Sequence, residues 1–92
     1  MSLSPDKRVS TREGILQDLY AAARIGLPAP MLLRGLVRAR AITISEEELE
    51  RALFILEAEG LIERRESALS KGSWRWLITG QGIQLAEREE LI

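Results

Sequence analysis

A chain of 92 residues is long enough for one small core and too short for two. Its 46% apolar and 29% charged residues match an ordinary folded domain rather than a disordered tail. It contains no cysteine and no histidine. That removes disulfides, the usual zinc and transition-metal ligands and the common nucleophile–base pairs, so no metal, no cofactor and no catalysis are expected.

No stretch approaches the roughly 18 apolar residues of a membrane span, and "MSLSPDKRVS" has no apolar run of the kind that directs export, so a cytoplasmic location is expected. Residues 1–9 are polar and read as a flexible tail before a single domain over 10–92. The first helix is predicted to open at Ser10, with Glu13 completing a capping box, and to carry Ile15, Leu16, Leu19, Ala22 and Ala23 as its apolar stripe until Gly26 stops it. In "LPAPMLLRGLVRARA", Pro30 suits the first position of a second helix, because the amide it lacks would be unpaired there. Leu32, Leu33, Leu36 and Val37 give that helix an apolar face, and Arg34, Arg38 and Arg40 make it cationic.

Ile42, Thr43 and Ile44 are all β-branched and read as a short strand. Ser45 then caps a third helix, again with a capping box through Glu48, and Leu49, Ala52, Leu53 and Leu56 gather on one side until Gly60 ends it. Two alternating runs follow, Leu61–Glu66 and Trp74–Ile78, around the loop "ALSKGS". By the period of two, Trp74, Trp76 and Ile78 share one face and are expected to cover the core, while Arg75 and Leu77 share the other. Thr79 caps a last helix through "GQGIQLAEREELI", weakened by two early glycines. Neither "GSW" nor "TGQG" has the spacing of a phosphate-binding loop.

The run "ALFILEAEGLIERRE" followed by "RWLITGQG" resembles the winged helix-turn-helix DNA-binding superfamily, the regulators of the MarR, ArsR and PadR kind, with small phage and prophage proteins as the nearest pattern. There a recognition helix ends in Leu-x-x-Leu-x-x-x-Gly-Leu-Ile, enters a wing hairpin and returns through Leu-Thr-x-x-Gly into a final helix. Leu53, Leu56, Gly60, Leu61 and Ile62 match the first part; Ile78, Thr79 and Gly82 match the second. The resemblance runs from about Ser10 to the end. It implies a mainly α fold with a small antiparallel β-hairpin wing, ordered α-α-β-α-β-β-α, in which Ile42–Ile44, Leu61–Glu66 and Trp74–Ile78 form the sheet. It also implies double-stranded DNA as the partner of a homodimeric transcriptional regulator.

Charge runs against that implication. Met1 to Ile44 carries seven basic and three acidic residues, Ser45 to Glu63 one and seven, and Arg64 to Ile92 five and four. The presumed reading helix is therefore the most acidic part of the chain. Carboxylates in a first turn stabilise a helix by about 0.3–1 kcal/mol each through its dipole, which suffices to explain Glu46, Glu47 and Glu48. In a DNA groove the same carboxylates would accept only from a base donor such as cytosine N4, and would repel the backbone.

Two functions follow. In the first, Arg51 reaches the groove, Arg34, Arg38 and Arg40 hold phosphates from the second helix, and Arg64, Arg65, Lys71 and Arg75 act from the wing. In the alternative, the acidic third helix is a protein–protein contact face, because Phe54 and Ile55 lie at positions that DNA-reading helices usually keep polar. Self-association is expected through the first and last helices, where Ile83, Leu85, Leu91 and Ile92 exceed what so small a domain readily covers.

Overall fold

The structure, a computed structural model, describes residues 5–66 and 73–91. Most of the hairpin loop, with Lys71, lies outside these residues, as does Ile92.

Helix α1 spans Pro5–Ala21 and so begins ahead of the expected cap. Proline and aspartate are both favourable in a first turn, the one lacking an amide and the other opposing the dipole, and Pro5-Asp6 supplies the pair. Ser10 consequently lies inside the helix instead of capping it, and the Thr11 hydroxyl donates to the Lys7 carbonyl one turn back at 2.7 Å. Ile15, Leu16 and Leu19 are fully buried, as their spacing requires.

Helix α2 spans Ala29–Arg34 with proline in its first turn, and it continues as a wider π-helical turn over Gly35–Ala39. The Ile42 amide then donates back to the Leu36 carbonyl at 2.9 Å, and Ala41 adopts a left-handed φ of 54°. This turn diverts Ile42–Ile44 from the strand expected of it. Ile44 instead serves as a buried plug, 8% exposed.

Helix α3 spans Glu46–Ala58 and has the expected capping box. The Glu48 amide donates to the Ser45 hydroxyl at 3.1 Å, and the Ser45 amide donates to the Glu48 carboxylate at 3.0 Å. The hydrogen bond donated by the Ser45 backbone amide holds the Glu48 carboxyl below its ordinary pKa. A carboxylate stabilised in this way favours the folded chain above its unfolded pKa, and that contribution is lost as pH falls through the lowered folded value. Ser45→Ala should cost about 1 kcal/mol and lower Tm by roughly 4–8 °C, measured by thermal denaturation at neutral pH. The gap between wild type and variant should narrow in acid.

Past Gly60, which takes the left-handed φ of 79° that a helix stop requires, strand β1 (Ile62–Glu66) pairs antiparallel with β2 (Trp74–Ile78). Ile62 lies opposite Ile78, and Arg64 opposite Trp76. The third strand position, on the other edge of β2, is taken by Leu27: its amide and carbonyl exchange bonds of 2.9 and 2.8 Å with Trp76. The Gly26 turn that delivers Leu27 also lies against Leu77. Leu77, expected on the outward face with Arg75, is therefore buried, and Trp74, expected over the core, is half exposed. Trp76 is 9% exposed and covers the core as its alternation predicts.

Helix α4 spans Gly80–Arg88, its first turn held by the Thr79 hydroxyl, which accepts from the Gly82 amide at 3.1 Å. It packs on α1. Leu85 and Ala86 are buried, Ile83 and Leu91 close against the core, and the Gln17 side-chain amide donates to the Leu91 carbonyl. The described apolar residues of the terminal segment, expected to drive self-association, are thus largely used within the chain.

Candidate functional site

The cations assigned to one surface from sequence divide into three groups. Arg34 and Arg38 stand exposed on α2 and its π turn and form no ion pair among the described residues. Arg51 is also outward on α3, 65% exposed, and among the described residues pairs only with Glu47, one turn earlier, at 3.7 Å. An exposed pair of this kind is worth little and leaves the guanidinium available.

Arg40 is held inward. Its guanidinium donates to Asp18 on α1 at 2.7 Å, and its Nε is buried without a partner among the described residues. Two helix-interior glycines make room for the arrangement. A Cβ on Gly14 would sit 2.8 Å from the Arg40 stem and 2.7 Å from Leu36, and one on Gly35 would sit 2.7 Å from the Asp18 carboxylate. Arg40 therefore fixes the π turn to α1, and its neighbour Arg38 is left at the surface. Sequence reasoning missed Asp18, Gly14 and Gly35 in this role. The legible signal was a glycine inside each of two helices, a placement that costs about 1 kcal/mol against alanine and marks close approach.

On the hairpin, the Arg64 Nε donates to Glu57 of α3 at 3.1 Å while its guanidinium lies over the Trp76 ring, 5.4 Å from the centroid. Arg65 donates to Glu63 at 2.8 Å on the exposed side of the strand, and Arg75 is half buried. Arg12 of α1 pairs with Glu59 at the end of α3. On α3 itself Phe54 is 67% and Ile55 48% exposed, so neither packs away against its own wing. Among the described residues no cluster of carboxylates could hold a metal ion, and no helix is long and apolar enough to cross a membrane.

A two-helix unit leading into a third helix, an antiparallel hairpin and a return helix is the arrangement found in several solved regulators. The S. aureus MepR–DNA complex matches with a TM-score of 0.72 and 25% identity, over 87% of this chain and 60% of that one. The fold is a winged helix-turn-helix like that of these regulators. A MarR-family transcriptional regulator from Silicibacter pomeroyi is 28% identical to this winged helix, with a TM-score of 0.65, over 86% of this chain and 47% of that one. Lactococcus lactis ZitR, at 22% identity and a TM-score of 0.69, matches over 98% of this chain and 56% of its own. The winged helix thus spans about half to three-fifths of these chains. These neighbours are transcription regulators rather than enzymes. No protein-family model matches the chain, and no curated protein matches it significantly.

Proposed function

We propose that this winged helix is a DNA-binding transcriptional regulator, with α3 entering the major groove and α2 and the hairpin on the flanking phosphates. The observation that carries the reading is the match over 87% of the chain to a regulator solved on DNA. Arg34 and Arg38, exposed and without an ion pair among the described residues, support it, as phosphate contacts that position the domain without reading sequence. Arg51 is the candidate for base contact, and Arg64, Arg65, Arg75 and Lys71 for the wing. Arg40 serves more directly by holding the π turn than by reaching a phosphate. A mobility-shift salt series on random duplex tests the reading. Affinity should fall linearly in log–log form with salt, and absence of any shift at low salt would refute it.

The regulator acts as a homodimer in this reading, because two copies match a two-fold DNA site. With Leu85, Ile83 and Leu91 committed inside the chain, the contact would draw on the exposed Val9 of α1 and Ile25 just beyond it. Light scattering at micromolar protein should give twice the chain mass, and Val9→Asp should reduce it to one.

A second reading is favoured by the exposure of Phe54 and Ile55, 67% and 48%. In it the acidic α3 is a protein-contact face.

A further inference from the structure

Between α3, the start of α2 and the hairpin lies an open cleft of about 440 Å³ lined by aromatic and aliphatic side chains with two carboxylates and one guanidinium. Phe54 and Trp74, residues 67% and 50% exposed, line it with their rings, Pro30 and Trp76 contribute apolar surface, and Glu50 supplies a carboxylate. The cleft already holds one cation of the chain's own. The Arg64 guanidinium rests over Trp76 while Glu57 accepts from its Nε. Guanidinium combines stacking on an aromatic face with donation to a carboxylate better than ammonium does, because it is planar, forked and weakly hydrated.

The rest of the cleft offers the same chemistry with no occupant from the described residues. Phe54 and Trp74 present the rings, and Glu50 makes no ion pair among the described residues. Glu46 and Glu50 continue the acidic lining into the adjoining groove between α2 and α3. Such a surface attracts a cation with an apolar body. We infer that this cleft docks an arginine-bearing apolar segment of a partner protein, with the arginine against Glu50 and the aromatic rings. The inference rests on the second reading of α3, as a protein-contact face, and needs no DNA. It also gives the acidity of α3 a function beyond dipole compensation.

The test is selection of short random peptides displayed on phage against the intact protein, with counter-selection on the Phe54→Ala, Trp74→Ala double variant. Both positions are exposed, and a thermal melt checks that the variants fold. Enriched peptides should carry arginine beside apolar residues. A synthetic peptide of the enriched sequence, titrated by calorimetry, should bind roughly tenfold more weakly to either single alanine variant and several-fold more weakly to Glu50→Gln. Changing its arginine to lysine should also weaken it. No enrichment over the double variant would overturn the inference. Enrichment of uncharged peptides, or indifference to Glu50→Gln, would also overturn it while leaving a protein-contact face in place.

Discussion

Gly82→Ala should destabilise the domain by about 3 kcal/mol or more, a large part of the roughly 5–15 kcal/mol that holds a domain of this kind together. A Cβ at Gly82 would come within 2.2 Å of the Leu61 carbonyl oxygen and 2.6 Å of the Ile78 side chain. The nearest obstacle is backbone that the hairpin itself needs, since the Leu61 carbonyl accepts from the Thr79 amide at 3.0 Å. Relief would require α4 to move off the base of the hairpin, which opens the core at Ile78 and Leu85. Gly80, two residues earlier in the same helix, has nothing within 4 Å of its Cβ position. Gly80→Ala should therefore be neutral or stabilise by up to about 1 kcal/mol, through helix propensity and a less mobile unfolded chain. Urea denaturation of both variants checks the pair. Equal effects would mean that the close approach of α4 to Leu61 is wrong.

Replacing Arg34 and Arg38 together by alanine should weaken binding to every duplex alike, by roughly a hundredfold at low salt, while leaving the melting temperature near wild type. Both side chains are exposed and form no ion pair among the described residues, so alanine there should leave the fold intact and remove only the proposed phosphate contacts. The slope of log affinity against log salt should fall by about 0.9 for each phosphate that is no longer neutralised. Arg40→Ala should behave in the opposite order. It strands Asp18 and removes the stem packed beneath Gly14, so stability falls first, by roughly 1–2 kcal/mol. Glu46→Gln with Glu47→Gln should tighten non-specific binding several-fold and weaken α3 slightly, by removing both phosphate repulsion and dipole compensation. Mobility shifts over a salt series, paired with thermal melts, separate these outcomes. A double arginine variant with an unchanged salt slope would remove α2 from the interface.

Much of this architecture was legible in the residues because it depends on local chemistry and on periodicity. Ser45 with Glu48 can satisfy the first amides of α3 within a single turn, and Thr79 does the same for α4 with Gly82. Leu49, Leu53 and Leu56 recur at helical spacing and Ile62, Trp76 and Ile78 fall on the core side, so burial followed from one repeating rule. The capping rule failed at Ser10, because the proline and aspartate upstream extended the helix ahead of it.

The sequence by itself determined the order of the helices, the pairing of two alternating runs into a hairpin, the caps of α3 and α4 and the acidity of α3, all read from neighbours a few residues apart. What only the tertiary structure decided involves partners distant in the chain. Ile42–Ile44 has strand propensity, yet the edge of β2 went to Leu27, because the π turn locked by Arg40 and Asp18 turns Ile44 into the core. Trp74 and Leu77 exchanged their expected exposures because α1 and the Gly26 turn cover one side of β2 while the far end of the other stays open. The fates of the arginines were decided in the same way. Arg34, Arg38 and Arg40 look alike in sequence, and only the packing of Gly14 and Gly35 against their partners draws one inward and leaves two in solvent, because burial of a charge depends on a carboxylate that another helix supplies.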